Sequence, residues 1–182
     1  MEQTVKFNED DRLQVIRRLE SYFSAKLEQI SNSRKCFQDA SGKLYCIIGA
    51  SGDWHGIPAR IFESPEAQMP NSHLIIAKRY QSKIDIFKGS LVTLIKNKSK
   101  LLRNKKGDYQ FHSHIVGASL EIEDIPHFYL EKIDEINYSV MDSEKNIIRE
   151  LKKIPKRELE SLLKEIASKD NPCLKVSKMR IW

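Results

Sequence analysis

Cysteine, glycine and proline are scarce in this 182-residue chain, which has three, seven and six of them respectively. The cysteines, Cys36, Cys46 and Cys173, are odd in number and form no Cys-x-x-Cys pair, so they indicate neither a disulfide framework nor a zinc ribbon. They read as reduced, mostly buried thiols. So little glycine and proline, beside 40% apolar and 31% charged residues, excludes a collagen, a linker or a disordered tail and leaves a packed globular protein. No apolar run approaches the roughly 18–20 residues that span a bilayer. The acidic, polar start lacks the basic-then-apolar order of a signal peptide. The expectation is a cytoplasmic protein with no membrane partner.

Several enzyme signatures are also missing. The chain has no G-x-G-x-x-G, no G-x-x-x-x-G-K-[S/T] and no G-x-S-x-G, which removes the usual marks of dinucleotide, P-loop and hydrolase sites. The one [Asp/Glu]-x-Lys triplet, Glu150-Leu-Lys152, falls in an expected helix and not on the strand a restriction-type metal site needs.

What the chain does have is concentrated positive charge. Its net +6 is uneven: residues 78–106 hold ten cations, Lys78, Arg79, Lys83, Lys88, Lys96, Lys98, Lys100, Arg103, Lys105 and Lys106, against the single acid Asp85. That segment is +9, so the rest of the chain is −3. Residues 117–170 carry 13 acids against nine bases, and Lys175, Lys178 and Arg180 form a small basic tail. A local positive patch attracts phosphate backbones through counterion release, whereas dispersed charge mainly affects solubility. Nucleic acid is the indicated partner, duplex DNA ahead of RNA because no paired aromatic stacking motif is evident. A basic face that meets an acidic protein partner is a further reading.

Hydrophobic periodicity predicts a single α+β domain over 1–182. It has an N-terminal amphipathic helix, a central mostly antiparallel sheet and a C-terminal helical hairpin, with 1–140 as the mixed core bearing the basic surface 78–106. The first helix spans 10–31, with Ile16, Leu19, Phe23, Leu27 and Ile30 at helical spacing. Strands are expected at 35–39 and 43–48 about a turn containing Gly42, at 72–77 and 83–87, and at 109–116 with 120–122 pairing back. Residues 89–102 read as a helix with Lys96, Lys98, Lys100 and Arg103 outward. The hairpin occupies 143–170 and the basic tail 171–182.

One set of residues can carry chemistry. Residues 49–58 form a loop with three glycines that also holds Asp53, Trp54 and His55, and glycine allows a ligand close to the backbone. His112 and His114 alternate on one expected strand, so they share a face ~6–7 Å apart at Cα. If loop and strand met, Asp53, His55, His112 and His114 would supply ligands for a divalent metal, or a general base and acid for a phosphodiester, as in a restriction or defence endonuclease. Otherwise the histidines are structural, and the protein, alone or as a homodimer, binds without cutting.

Overall fold

Helix α1 (Glu9–Phe23) begins where the sequence supplies a reciprocal cap. The Asn8 side chain accepts from the Asp11 backbone N–H at 2.9 Å and the Asp11 carboxylate accepts from the Asn8 N–H at 2.9 Å, satisfying two donors that a helix start leaves open. The helix ends at Ser24, whose left-handed backbone (φ 50°) returns its N–H to the carbonyls of Glu20 and Ser21. It is therefore shorter than the apolar spacing predicts. Leu27 is still buried, but as part of an irregular segment that ties its N–H to the Glu20 carboxylate.

The computed structural model describes residues 5–30 and 33–138. The chain divides into two compact units, 1–137 and 138–182. The expected hairpin at 143–170, the tail at 171–182 and Cys173 lie outside the described residues.

The first unit is one sheet with a few short helices. Its strands are β1 (Glu28–Gln29), β2 (Cys36–Gln38), β3 (Leu44–Ala50), β4 (Trp54–Ile57), β5 (His73–Arg79), β6 (Lys83–Ser90), β7 (Leu102–Arg103), β8 (Tyr109–Val116), β9 (Ser119–Ile122) and β10 (Tyr129–Asn137). Spatially they run β1-β2-β3-β5-β6-β10-β9-β8-β4, with β7 also on β8. Every pair is antiparallel except β3 with β5, because the chain between those two passes through β4 and α2 (Ala59–Glu63) before it returns. The β2–β3 turn forms as expected: Asp39 accepts from the N–H groups of Ser41 and Lys43, and Gly42 takes φ +82°.

Strands β3, β5 and β6 are apolar on both faces because both are covered. The outer face, with Tyr45, Ile47, Ile75, Ile84 and Ile86, lies on the side of α1, where the Phe23 ring stacks on His73 at 5.0 Å and meets Tyr45 edge-on at 4.9 Å. The inner face contributes Cys46, Ile48, Leu74, Ile76 and Phe87 to one buried cluster with Phe62, Leu94, Tyr109 and Phe111. That cluster also contains Leu44 of β3 and Ile57 of β4, from near opposite ends of the strand order, so the sheet curls around its own core.

Two further elements depart from the sequence reading. The helix expected over 89–102 is only α3 (Leu91–Lys96), followed by a 3-10 turn at Lys98–Lys100. Gly89 and Ser90 instead stay in the β6 ladder opposite Leu74 and His73, and the Ser90 hydroxyl caps α3 by accepting from the Thr93 N–H. At the far end Lys96 and Lys100 would repel at helical i,i+4 spacing, and Asn97 turns its side-chain amide back to the Thr93 carbonyl. The second departure is β10, which the sequence reading lacks. Its pairing with β6 shifts register between Lys132 and Asp134, so the apolar residues Leu130, Ile133 and Ile136 fall every third position and the period-two signal is lost.

Candidate nucleic-acid interface

The ten cations of 78–106 separate into four that meet acids and six that do not. Lys78 is buried and its Nζ lies 2.5 Å from the Asp53 carboxylate. Arg79 reaches the buried Asp11 carboxylate of α1 at 3.5 Å. Lys83 lies 3.2 Å from Asp85 and 3.1 Å from Glu135, and Lys132 joins the same two carboxylates at 2.8 and 2.6 Å. Burial works against the charge on Lys83, but hydrogen bonds to Glu135 and Asp85 outweigh it and raise its pKa. Lys88 is held by Glu131 at 2.6 Å, and that bond raises its pKa too. These four cations tie strands and helix together.

The other six, Lys96, Lys98, Lys100, Arg103, Lys105 and Lys106, are all exposed and make no ion pair with an acid among the described residues. They follow one another from the end of α3, through the 3-10 turn and β7, into the β7–β8 turn. The segment is positioned from beneath. Leu94, Ile95 and Leu101 are buried in the core. The Asn104 side chain accepts from the N–H groups of Lys106 and Asp108 at 2.9 Å each, and Gly107 takes φ +85°. Arg103 donates to the Gly107 carbonyl at 3.2 Å and lays its guanidinium 4.9 Å over the Tyr109 ring. The six cations thus stand on a segment anchored from beneath in the core.

Strands β7, β8 and β4 continue that surface. Leu102 and Gly56 both register with Gln110, from opposite edges of β8, and Trp54 registers with His112 two positions on. At strand spacing Trp54 stands about 10 Å across the sheet from β7. Trp54 is 46% exposed, and its ring meets the His112 ring edge-on at 4.1 Å. The space above Gly56 is open. Of the loop expected at 49–58, the last part is thus the strand β4, and Trp54 sits on its outward side.

Strand alternation splits the candidate catalytic set. His55 points inward with its register partner Phe111, and its Nε2 lies 2.6 Å from the Ser113 hydroxyl. Burial, with the Lys78 charge adding to it, lowers the His55 pKa to about 4, so the ring is neutral near pH 7, and its Nδ1 has no hydrogen-bond partner among the described residues. Asp53 is on the same side, its carbonyl accepting from the Ser113 N–H and its carboxylate on Lys78. His112 and His114 point the other way. His114 sits between two carboxylates, Glu121 at 3.2 Å and Glu123 at 3.3 Å. The structure brings Asp53 to His55 and His112 to Trp54, and it does not bring the two histidine faces together. Among the described residues no group of three or more His, Cys, Asp or Glu is placed to hold a metal ion. Sequence reasoning missed the partners Glu131 and Glu135, whose signal was the acid-rich stretch after residue 117.

No helix of the described residues is long and apolar enough to cross a membrane. No family model, no curated protein and no solved structure matches the chain.

Proposed function

We propose that this protein binds nucleic acid, with duplex DNA as the ligand, through the segment from Lys96 to Lys106. The observation that carries the reading is the six exposed cations that have no acidic partner among the described residues, placed in succession on a segment whose buried side is fixed in the core. Ammonium and guanidinium groups held this way displace condensed counterions from a phosphate backbone, which drives association with little regard to base sequence. Four of the ten cations first identified, Lys78, Arg79, Lys83 and Lys88, act in the fold and not in the grip. Trp54 is the one exposed tryptophan among the described residues, too little for a stacking platform, and this supports duplex over single strand.

Cleavage is a poorer reading. An endonuclease needs its acid, base and metal ligands within reach of one phosphorus atom, and His55 lies on the opposite face of the sheet from His112 and His114.

The test is fluorescence anisotropy with a labelled duplex at low ionic strength. Replacing all six cations with Gln is expected to weaken binding on the order of a hundredfold or more, whereas Lys88→Gln leaves it unchanged. Equal binding by the sixfold variant would overturn the proposal. Stronger competition by an acidic polypeptide than by unlabelled duplex would redirect it to a protein partner.

A further inference from the structure

The core holds two thiols that the nucleic-acid reading does not use. Cys36 on β2 and Cys46 on β3 are direct cross-strand partners. The Ile47 N–H donates to the Lys35 carbonyl at 2.7 Å and the Asp39 N–H to the Lys43 carbonyl at 3.2 Å. In an antiparallel ladder this alternation makes 36/46 a pair without mutual backbone hydrogen bonds, where the Cα atoms stand about 4.5 Å apart and the side chains are closest. That spacing falls within the range a disulfide spans. Both side chains point into the inner cluster, and both cysteines are free thiols.

Their surroundings differ. Cys36 forms part of the wall of a cavity of about 340 Å³, together with Ser33, Gln38, Arg60, Ser64 and Glu66. Cys46 is fully buried. A hydrogen bond from the Cys46 thiol, against the opposing effect of burial and helped by Ser33 and the charges of Arg60 and Lys35, holds the Cys36 thiol below its ordinary pKa. Cys46 is pushed the other way by the same bond and by its burial. One thiol thus has thiolate character and a cavity in front of it, while its neighbour stays protonated.

We propose that Cys36 is a peroxide-reactive thiol and that Cys46 resolves its oxidation, closing a disulfide between β2 and β3. In the first step the Cys36 thiolate attacks one oxygen of a hydroperoxide. An S–O bond forms, the O–O bond breaks, and the departing oxygen leaves with a proton as water or an alcohol. Cys36 is now a sulfenic acid, oxidised by two electrons, and the peroxide is reduced by two. In the second step the Cys46 sulfur attacks the Cys36 sulfur. The S–S bond forms, the S–O bond breaks, and the hydroxyl leaves with the Cys46 proton as water. The cavity admits the small oxidant, and the ladder register supplies the resolving thiol without movement of either strand.

The test uses the full chain. It is treated with hydrogen peroxide, alkylated under denaturing conditions and mapped by mass spectrometry before and after reduction. The expected product is two hydrogens lighter, has lost two alkylatable thiols, and yields a peptide pair linked through Cys36 and Cys46 that reduction separates. In Cys46→Ser, Cys36 is expected to accumulate as sulfenic acid trapped by dimedone, and in Cys36→Ser the thiol of Cys46 is expected to stay unmodified. Full alkylation of both residues after peroxide, a link from either to Cys173, or oxidation of Cys36 to sulfinic acid with no link would overturn the proposal. The wild-type mapping decides the matter even if a variant does not fold.

Discussion

At residue 55 strand alternation turns an imidazole inward, where burial and the nearby Lys78 charge hold it neutral with a pKa of about 4. An unfolded chain binds a proton there at about pH 6.5. Below that value the unfolded state takes up the proton and the folded state does not, so stability falls from about pH 6.5 down to about pH 4 and then levels. From pH 7 to pH 5 the His55 share is about 2 kcal/mol. His73, half-buried between the rings of Phe23 and Tyr45, also has its pKa lowered to about 4 by desolvation and acts in the same direction. The carboxylates with depressed pKa, Asp39 and Glu135, titrate below this window. Urea unfolding at pH 7 and pH 5 is therefore expected to show a smaller loss for His55→Gln than for the wild type, by about 2 kcal/mol. Equal losses in the two proteins would mean that His55 is not held neutral.

Among the elements, two glycines of the sheet give a sharp contrast. A Cβ at Gly89 would lie 2.7 Å from Cγ of the buried Leu130 on β10, the strand paired with β6. Gly89→Ala is expected to destabilise the protein by about 1–3 kcal/mol, because a packed core has no room to relax. Gly56→Ala on β4, where the space is open, should stay within about 0.5 kcal/mol of the wild type. Thermal unfolding distinguishes them, and equal midpoints would contradict the packing of β10 on β6. The same strands show where sequence reading reaches its limit. Helix α1, the β2–β3 hairpin and the β8–β9 pair announce themselves through local signals: a cap, a turn glycine, alternation. Strand β10 does not, because its bulge gives it a three-residue apolar spacing, and its Glu131, Lys132 and Glu135 meet their partners on β6, far away in sequence. The start of α3 is likewise set from a distance, because Gly89 and Ser90 are held in the ladder opposite Leu74 and His73.

For the whole molecule, the charge total conceals a division of labour. The ten cations of 78–106 are legible as a run, but the sequence does not say which of them are neutralised, since most of the acids come from distant parts of the chain. Lys78 meets Asp53 across 25 positions and Lys83 meets Glu135 across 52. After these pairings six exposed cations remain without an acidic partner among the described residues, on one supported segment. The candidate catalytic histidines were legible as a list too, and the strand faces that part them follow from register alone, which only the tertiary pairing of β4 with β8 fixes. The measurement that bears most directly on the account is the salt dependence of duplex binding. Six phosphate contacts predict that log Kd rises with log salt concentration at a slope of about 5. Lys88→Gln should keep that slope, and the sixfold Gln variant should lose most of it. A shallow slope in the wild type, or the same slope in the sixfold variant, would contradict the assignment of this segment as the phosphate-binding surface.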